Sequence, residues 1–521
     1  MPAGTHWVAA VECLVLLIDS AFPNSQPQVF APGIGENFSW PHVEPGEKLC
    51  LSPTRCLAPI ADRLATHLAD AERLLQFSAD KCRQEFEREF VSYWSQRATH
   101  SANTDNVFSL VTPGSTTREA FYYLDPKLKR YVIAEDKGTL GRWIRNSGGN
   151  PGAKELFPTC VIRLKRPSIP SEFPERGVDI TKLLPTDILR RCLVPGHPTP
   201  MLVEAPTATG MAFGAVIVRG ADQKALMKGF RNIARVPLER IINSYNNRPV
   251  ERRRVIRVDG AWIHGRDHPS NFAEVRDRKV AIIGCGAVGS EIANLLARAG
   301  VGELIFVDGD TLSSANLSRH VLGIGHVAVN KALGLQNMLR KQLPHLTFQH
   351  AFAKRFEALD RLELDTLQTC DLVISAGIDF DGEAALDAWR RALPRPPVHL
   401  SCWVEAFALA GHAVLLYGTQ SLLAGFDSNE RPNFRSTDWP EGVATLIFEA
   451  GCGNVFQPHG IVDLQPTVAM ASSLALDALG GRIAASCRRA WLGDSGEVVR
   501  KGGQIRSGFT EKFTVREFVW P

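Results

Sequence analysis

A chain of 521 residues, 45% apolar, 22% charged and 8% aromatic, has the composition of a folded protein of about three domains and excludes intrinsic disorder. Fifty-nine basic against fifty-five acidic residues leave a net charge of +4, too mild to point to nucleic acid or another polyphosphate partner. The longest early apolar run, residues 8–18, is about half of what a bilayer needs. It contains Glu12, and no Lys or Arg precedes Lys48 to form the basic head of a leader. The run is therefore expected to be a buried strand, with no membrane association. Eleven cysteines, an odd number without a Cys-x-x-Cys pair, argue against a disulfide framework and a structural zinc clamp and for the reducing cytoplasm.

Three textures follow one another. Residues 1–98 hold the strand-like run, a Pro/Gly-rich stretch from Pro23 to Gly46, and two helical patterns. In the second pattern Phe86, Phe90, Tyr93 and Trp94 recur at i, i+4, i+7 and i+8, one face of a helix, and core packing is the expectation for them. Residues 99–254 read as mixed and strand-rich, with no recognisable chemistry. Arg252-Arg253-Arg254 reads as a solvated connection. Residues 255–521 read as an α/β domain with a parallel-rich sheet.

The chemistry concentrates in that last part. Lys279-Val280-Ala281-Ile282-Ile283 is an apolar β-run, followed directly by Gly284-Cys285-Gly286-Ala287-Val288-Gly289 and a helical pattern over 290–299 closed by Gly300. Strand, G-x-G-x-x-G turn and helix in that order bring backbone N–H groups to a phosphate at a helix N-terminus, which predicts nucleotide binding. A second strand over 303–307 ends in Asp308-Gly309-Asp310, about 20 residues on, where an acid meets a ribose hydroxyl. These features alone fit an NAD-dependent dehydrogenase equally well.

The continuation is less usual for a dehydrogenase. Asn316-Leu317-Ser318-Arg319 and then Asn330-Lys331-Ala332 place an amide and two cations just past the ribose acid, as a site that cleaves between phosphates requires. The run resembles the adenylating family that includes ThiF, MoeB and the ubiquitin-activating enzymes, with a Rossmann-like fold. By that resemblance Asp310 would hold the ribose of ATP, beside Asp308 and the loop glycines Gly284, Gly286 and Gly289, and Asn316, Arg319 and Lys331 would hold the phosphates. An acid after the next strand would hold magnesium. The family's Asp falls one residue late here, at Asp379 in Ser375-Ala376-Gly377-Ile378-Asp379, with Asp381 behind it. Arg257 or Arg266 could supply the arginine usual ahead of the loop.

Cys285 within the loop and Cys402 on an expected central strand read as structural. Cys452, in Gly451-Cys452-Gly453 with His459 and Asp463 close by and a long helix expected over 465–479, has the uncrowded backbone of a thiol that must meet a large partner. It looks like the Gly-Cys that carries the thioester in bacterial activating relatives. With that in view, Trp40-Pro41-His42 and Gly46-Glu47-Lys48-Leu49-Cys50-Leu51 resemble a small α+β ubiquitin-conjugating domain, with Cys50 as acceptor thiol and His42 in place of the family's Asn. The whole is similar to bacterial fusions of conjugating and activating enzymes found in CBASS antiphage and ubiquitin-like operons. The resemblance implies a homodimer that adenylates the C-terminus of a small protein, passes it from Cys452 to Cys50, and delivers it to a target amine. Sulfur transfer after adenylation, a dehydrogenase, and an inactive scaffold that binds a ubiquitin-like protein are the alternatives.

Overall fold

The computed structural model describes residues 11–35, 38–96, 106–127, 129–193, 197–220, 223–265, 269–448, 455–506 and 511–521. Two compact units emerge, one from residues 1–140 with 151–257, the other from 141–150 with 258–521. Among the described residues no helix is long and apolar enough to cross a membrane.

In the first unit the Pro/Gly-rich stretch breaks the chain into strands of two or three residues, Val15–Leu17, Gln28–Phe30, Lys48–Leu49 and Val43–Glu44, joined antiparallel in that spatial order. The early apolar run is not the buried strand expected. Residues 8–10 lie outside the described residues; within 11–18 only Val15–Leu17 pairs, at the sheet edge, and Val15, Leu17 and Ile18 are exposed. Strand alternation sends Leu16 alone of the three toward the core. Trp40 is buried and its indole N–H donates to Leu74 O (3.0 Å), tying the loop ahead of Cys50 to the helix Ile60–Leu75.

The aromatic stripe is buried as expected, but it lies on two helices, Ala79–Arg88 and Phe90–Gln96, separated at Glu89. It packs on an eight-stranded mixed sheet built by residues 107–257. Trp94 donates to Arg253 O (3.1 Å) and lies where a Cβ on Gly214 would meet its ring at 2.6 Å. Arg252 and Arg253 belong to the sheet strand Val250–Arg253, and Arg253 is buried against Glu251. Arg252 and Arg253 are therefore part of a sheet edge, and of the expected solvated connection only Arg254 is exposed, between two strands.

The second unit is a doubly wound α/β sheet. Its eight strands run in the order Ala351–Phe352, Glu303–Val307, Lys279–Ile283, Leu372–Ala376, Val398–Val404, Ala410–Leu416, Cys487–Leu492 and Thr514–Val519. The first five are parallel and the last three antiparallel. The parallel strands are largely apolar because helices cover both faces, with Ser375, His399 and Ser401 as buried polar exceptions. Lys279–Ile283 lies between its successors Glu303–Val307 and Leu372–Ala376, so the strand order reverses there, and a crevice opens beyond the strands' carboxyl ends.

Candidate active site

The glycine turn occupies that crevice, and its three glycines answer three different demands. Gly284 has φ +84°, and a Cβ on it would stand 2.7 Å from Ala376 O. A Cβ on Gly289 would come within 1.8 Å of Gly284 O, so the first turn of the helix Ala287–Arg298 rests directly on the loop. Gly286 caps that helix and borders the cavity, with no heavy atom within 4 Å of a Cβ placed there. A side chain would fill the space a phosphate needs beside the helix N-terminus.

Asp308 shapes the loop: its carboxylate accepts from Cys285 N–H and from Asp310 N–H, both at 2.7 Å. Burial raises its pKa, opposed by the Asp310 amide and Lys331. Two positioning groups escaped the sequence reading. His320 accepts from Leu322 N–H at Nδ1 (3.0 Å), so Nε2 carries the proton that Cys285 O accepts at 2.7 Å. Burial lowers its pKa and favours this neutral form. The Asn330 amide donates to Asp308 O (2.8 Å) and Asp310 O (3.0 Å), while its oxygen caps the helix Lys331–Gln342.

Lys331 is the first residue of that helix. Its N–H donates to Asp310 O (2.9 Å) and its ammonium meets Asp310 Oδ2 (2.9 Å), with the side chain only 12% exposed. Asp310 is therefore partnered by Lys331. Asn316 closes its own turn, accepting from Ser313 N–H and Oγ at 3.1 Å. The Arg319 guanidinium lies 5.6 Å over the Phe456 ring, and its charge adds to burial in lowering the pKa of His459. Neither Asn316 nor Arg319 is among the described residues lining the cavity beside Gly284, Gly286, Asp308, Asp310 and Lys331.

Asp379 does line it, together with Arg355 and Glu357, which the sequence reading missed. Asp379 is the N-cap of the helix Phe380–Ala392: Oδ1 accepts from Gly382 N–H (2.9 Å) and Oδ2 from Arg355. The Gly382 amide first, and then the guanidinium, hold its carboxyl below the usual range. Among the described residues the ionisable lining comprises four carboxylates, of Asp308, Asp310, Glu357 and Asp379, against Lys331 and Arg355. Hard oxygen ligands in excess fit a magnesium ion that brings countercharge with a triphosphate.

The first unit holds a second centre. Cys50 is exposed, and its N–H donates to His42 O (2.7 Å), while His42 N–H donates to the Tyr93 hydroxyl (2.8 Å). His42 takes φ +59°, and its ring lies between Glu85 (3.5 Å) and Glu89 (3.6 Å). Its backbone supports Cys50 while its imidazole faces acids. Burial raises the Cys50 pKa, and Glu44 and Glu89 raise it further against Lys48. Glu44→Gln and Glu89→Gln should therefore each speed alkylation of Cys50 at pH 7, by about two- to threefold, because a lower pKa means more thiolate. Iodoacetamide rates read on the Cys50 peptide by mass spectrometry check this; unchanged rates in both variants would contradict it.

Cys452 lies outside the described residues, within 449–454, which follow Ile447–Phe448 and precede its antiparallel partner Val455–Phe456. The helix beyond spans Ile461–Leu479, and Asp463 caps it by accepting from Gly460 N–H (2.8 Å). Cys285 and Cys402 are fully buried, and burial pushes both thiols far up, leaving them as packing groups. Arg257 belongs to the first unit, over the Phe213 ring at 5.0 Å. Arg266 lies outside the described residues.

A doubly wound sheet with a glycine cradle, a fixed lysine and an acidic rim defines a nucleotide-binding α/β fold. Residues 267–452 match the ThiF family and residues 6–102 match prokaryotic E2 family B. The chain thus joins an E2-like region to an E1-like, ThiF-type one. It is 27% identical over 234 residues to the ATP-dependent ubiquitin transferase-like protein Cap2 of Pseudomonas aeruginosa, covering 44% of this chain and 40% of that one. The Cap2 of Enterobacter hormaechei is 37% identical over 101 residues, 19% of this chain and 17% of that one. Ubiquitin-like modifier-activating enzyme 5 of Rattus norvegicus is 28% identical over 161 residues, 29% and 40% of the two chains. The matched stretches thus span 40% or less of these relatives' own lengths.

Proposed function

We propose that this chain activates the C-terminal carboxylate of a small ubiquitin-like protein with ATP, carries it as a thioester on Cys452 and then Cys50, and conjugates it to an amine of a target protein. The observation that supports this is the presence, in one polypeptide, of a phosphate cradle at the switch point with Lys331 fixed beside it and an exposed Cys50 held by His42 O and Tyr93.

In the first step a carboxylate oxygen of the small protein bonds to the α-phosphorus of ATP and pyrophosphate leaves. The loop amides and Lys331 hold the phosphate charge that develops. Asp379 is the residue that would hold magnesium, which would neutralise charge on the leaving pyrophosphate. The Cys452 thiolate then bonds to the acyl carbon and AMP leaves; the Cys50 thiolate takes the acyl group in turn, releasing Cys452. Finally an amine attacks the Cys50 thioester, loses a proton and yields an amide and a free thiol. Burial first, and then Glu44 and Glu89, raise the pKa of the Cys50 thiol that receives the acyl group.

Cys452→Lys and Cys50→Lys, expressed in the native host, turn a transient thioester into a stable isopeptide. Intact mass after pull-down is expected to show one added small protein on each variant, lost when Lys331→Ala is combined with it. No adduct on either variant, with the pathway expressed, would overturn the reading.

A further inference from the structure

Arg355 follows the edge strand Ala351–Phe352, and its Cγ lies 3.0 Å from where a Cβ on Gly309 would stand. From there its guanidinium reaches Asp379, beyond Leu372–Ala376, and both residues line the crevice. Its other partner is Glu357 at 3.3 Å. The guanidinium therefore spans the mouth of the crevice onto which the glycine loop opens. It also covers the Asp379 oxygen that helix capping leaves available to a cation.

The two cations of the crevice are held very differently. Lys331 is anchored through its own N–H and by the Asn330 network. Arg355 is 61% exposed and its described partners are carboxylates, and such water-exposed pairs hold a guanidinium only weakly. A phosphate offers the guanidinium two or three charged oxygens in a geometry its planar fork matches, a better acceptor than one exposed carboxylate.

We propose that Arg355 is a phosphate ligand of the bound nucleotide, parked on Asp379 until the nucleotide arrives. The transfer of Arg355 to phosphate uncovers Asp379 for the divalent cation, so metal and nucleotide each favour the other's binding. The inference rests on the reading of the crevice as an ATP site.

The test measures Mn2+ binding to the full chain by EPR, with and without a non-hydrolysable ATP analogue, and the affinity of that analogue. In the wild type the analogue should tighten Mn2+ binding by fivefold or more, about the lower end of allosteric coupling. Arg355→Ala should bind Mn2+ alone about fivefold more tightly than the wild type, bind the analogue about tenfold more weakly, and lose most of the coupling. Arg355→Lys, which keeps the charge without the fork, should recover only part of the analogue affinity. Adding Asp379→Asn to Arg355→Ala should remove the gain in Mn2+ affinity. Analogue binding by the wild type with both constants unchanged in Arg355→Ala would overturn the inference alone. A folded wild type that binds no analogue at any Mn2+ concentration would overturn the ATP reading and this inference with it.

Discussion

Lys331→Ala is expected to lower ATP–pyrophosphate exchange by about 10²–10³-fold, the usual cost of removing one preorganised group that meets developing charge. The ammonium is nearly sheltered, its direction is set by Asp310, and its backbone is fastened to Asp310 O, so it meets the phosphate charge from a fixed position. Stability should barely change. The pair it loses involves an Asp310 carboxylate that is 72% exposed, worth about 0–1 kcal/mol, and alanine suits a first helical turn. Asn316→Ala should have a much smaller effect, because Asn316 spends its oxygen on Ser313 and does not border the cavity. Exchange assays on both variants, with circular dichroism to confirm folding, check this. Exchange within fivefold of wild type in Lys331→Ala would remove the lysine from the phosphate site.

Gly289→Ala should both unfold the loop and abolish nucleotide binding. The added methyl would stand 1.8 Å from Gly284 O and 3.1 Å from the Ala376 Cβ. The closest neighbour is backbone, which cannot rotate away as a long side chain can, so helix and loop must separate. Overpacking of this kind costs about 1–3 kcal/mol or more, and the displaced amides no longer converge on a phosphate. Gly286→Ala is the matched control. Its methyl meets nothing within 4 Å, and alanine at a cap costs at most about 1 kcal/mol, yet it intrudes on the cradle. Thermal unfolding and titration with the ATP analogue should therefore separate the two: both quantities fall in Gly289→Ala, and only binding falls in Gly286→Ala. Wild-type binding by Gly286→Ala would mean that phosphates lie elsewhere in the crevice.

The local elements of the second unit were legible because one short segment carries each. The strands Lys279–Ile283 and Glu303–Val307 begin and end at the residues their apolar runs predicted, since a parallel strand buried on both faces has no polar alternation to blur its limits. The same rule explains the failure at residues 8–18. An apolar run announces burial only if neighbours cover both faces, and Val15–Leu17 lies at an edge. The aromatic face was readable from its spacing, while the break at Glu89 and the sheet beneath Trp94 were not, because Arg253 and Gly214 approach it from more than a hundred residues away.

The same division runs through both candidate sites. The order strand, glycine turn, helix, and the lysine placed after the acids, are properties of consecutive residues, and they suffice to mark a candidate phosphate cradle. So does the Gly-x-x-x-Cys setting of Cys50, to the extent of marking a candidate thiol. What those groups meet is decided by the sheet. His320 fastens Cys285 from 35 residues on, and Arg355 reaches Asp379 only because strand order brings the edge of the sheet over the switch point. Glu89 bears on Cys50 because the second helical pattern folds back beside the short strands. Hydrogen bonding and charge act through a few ångströms of space, whereas a sequence orders residues along the chain. Motif chemistry is therefore legible in one dimension, and its tuning by distant partners requires all three.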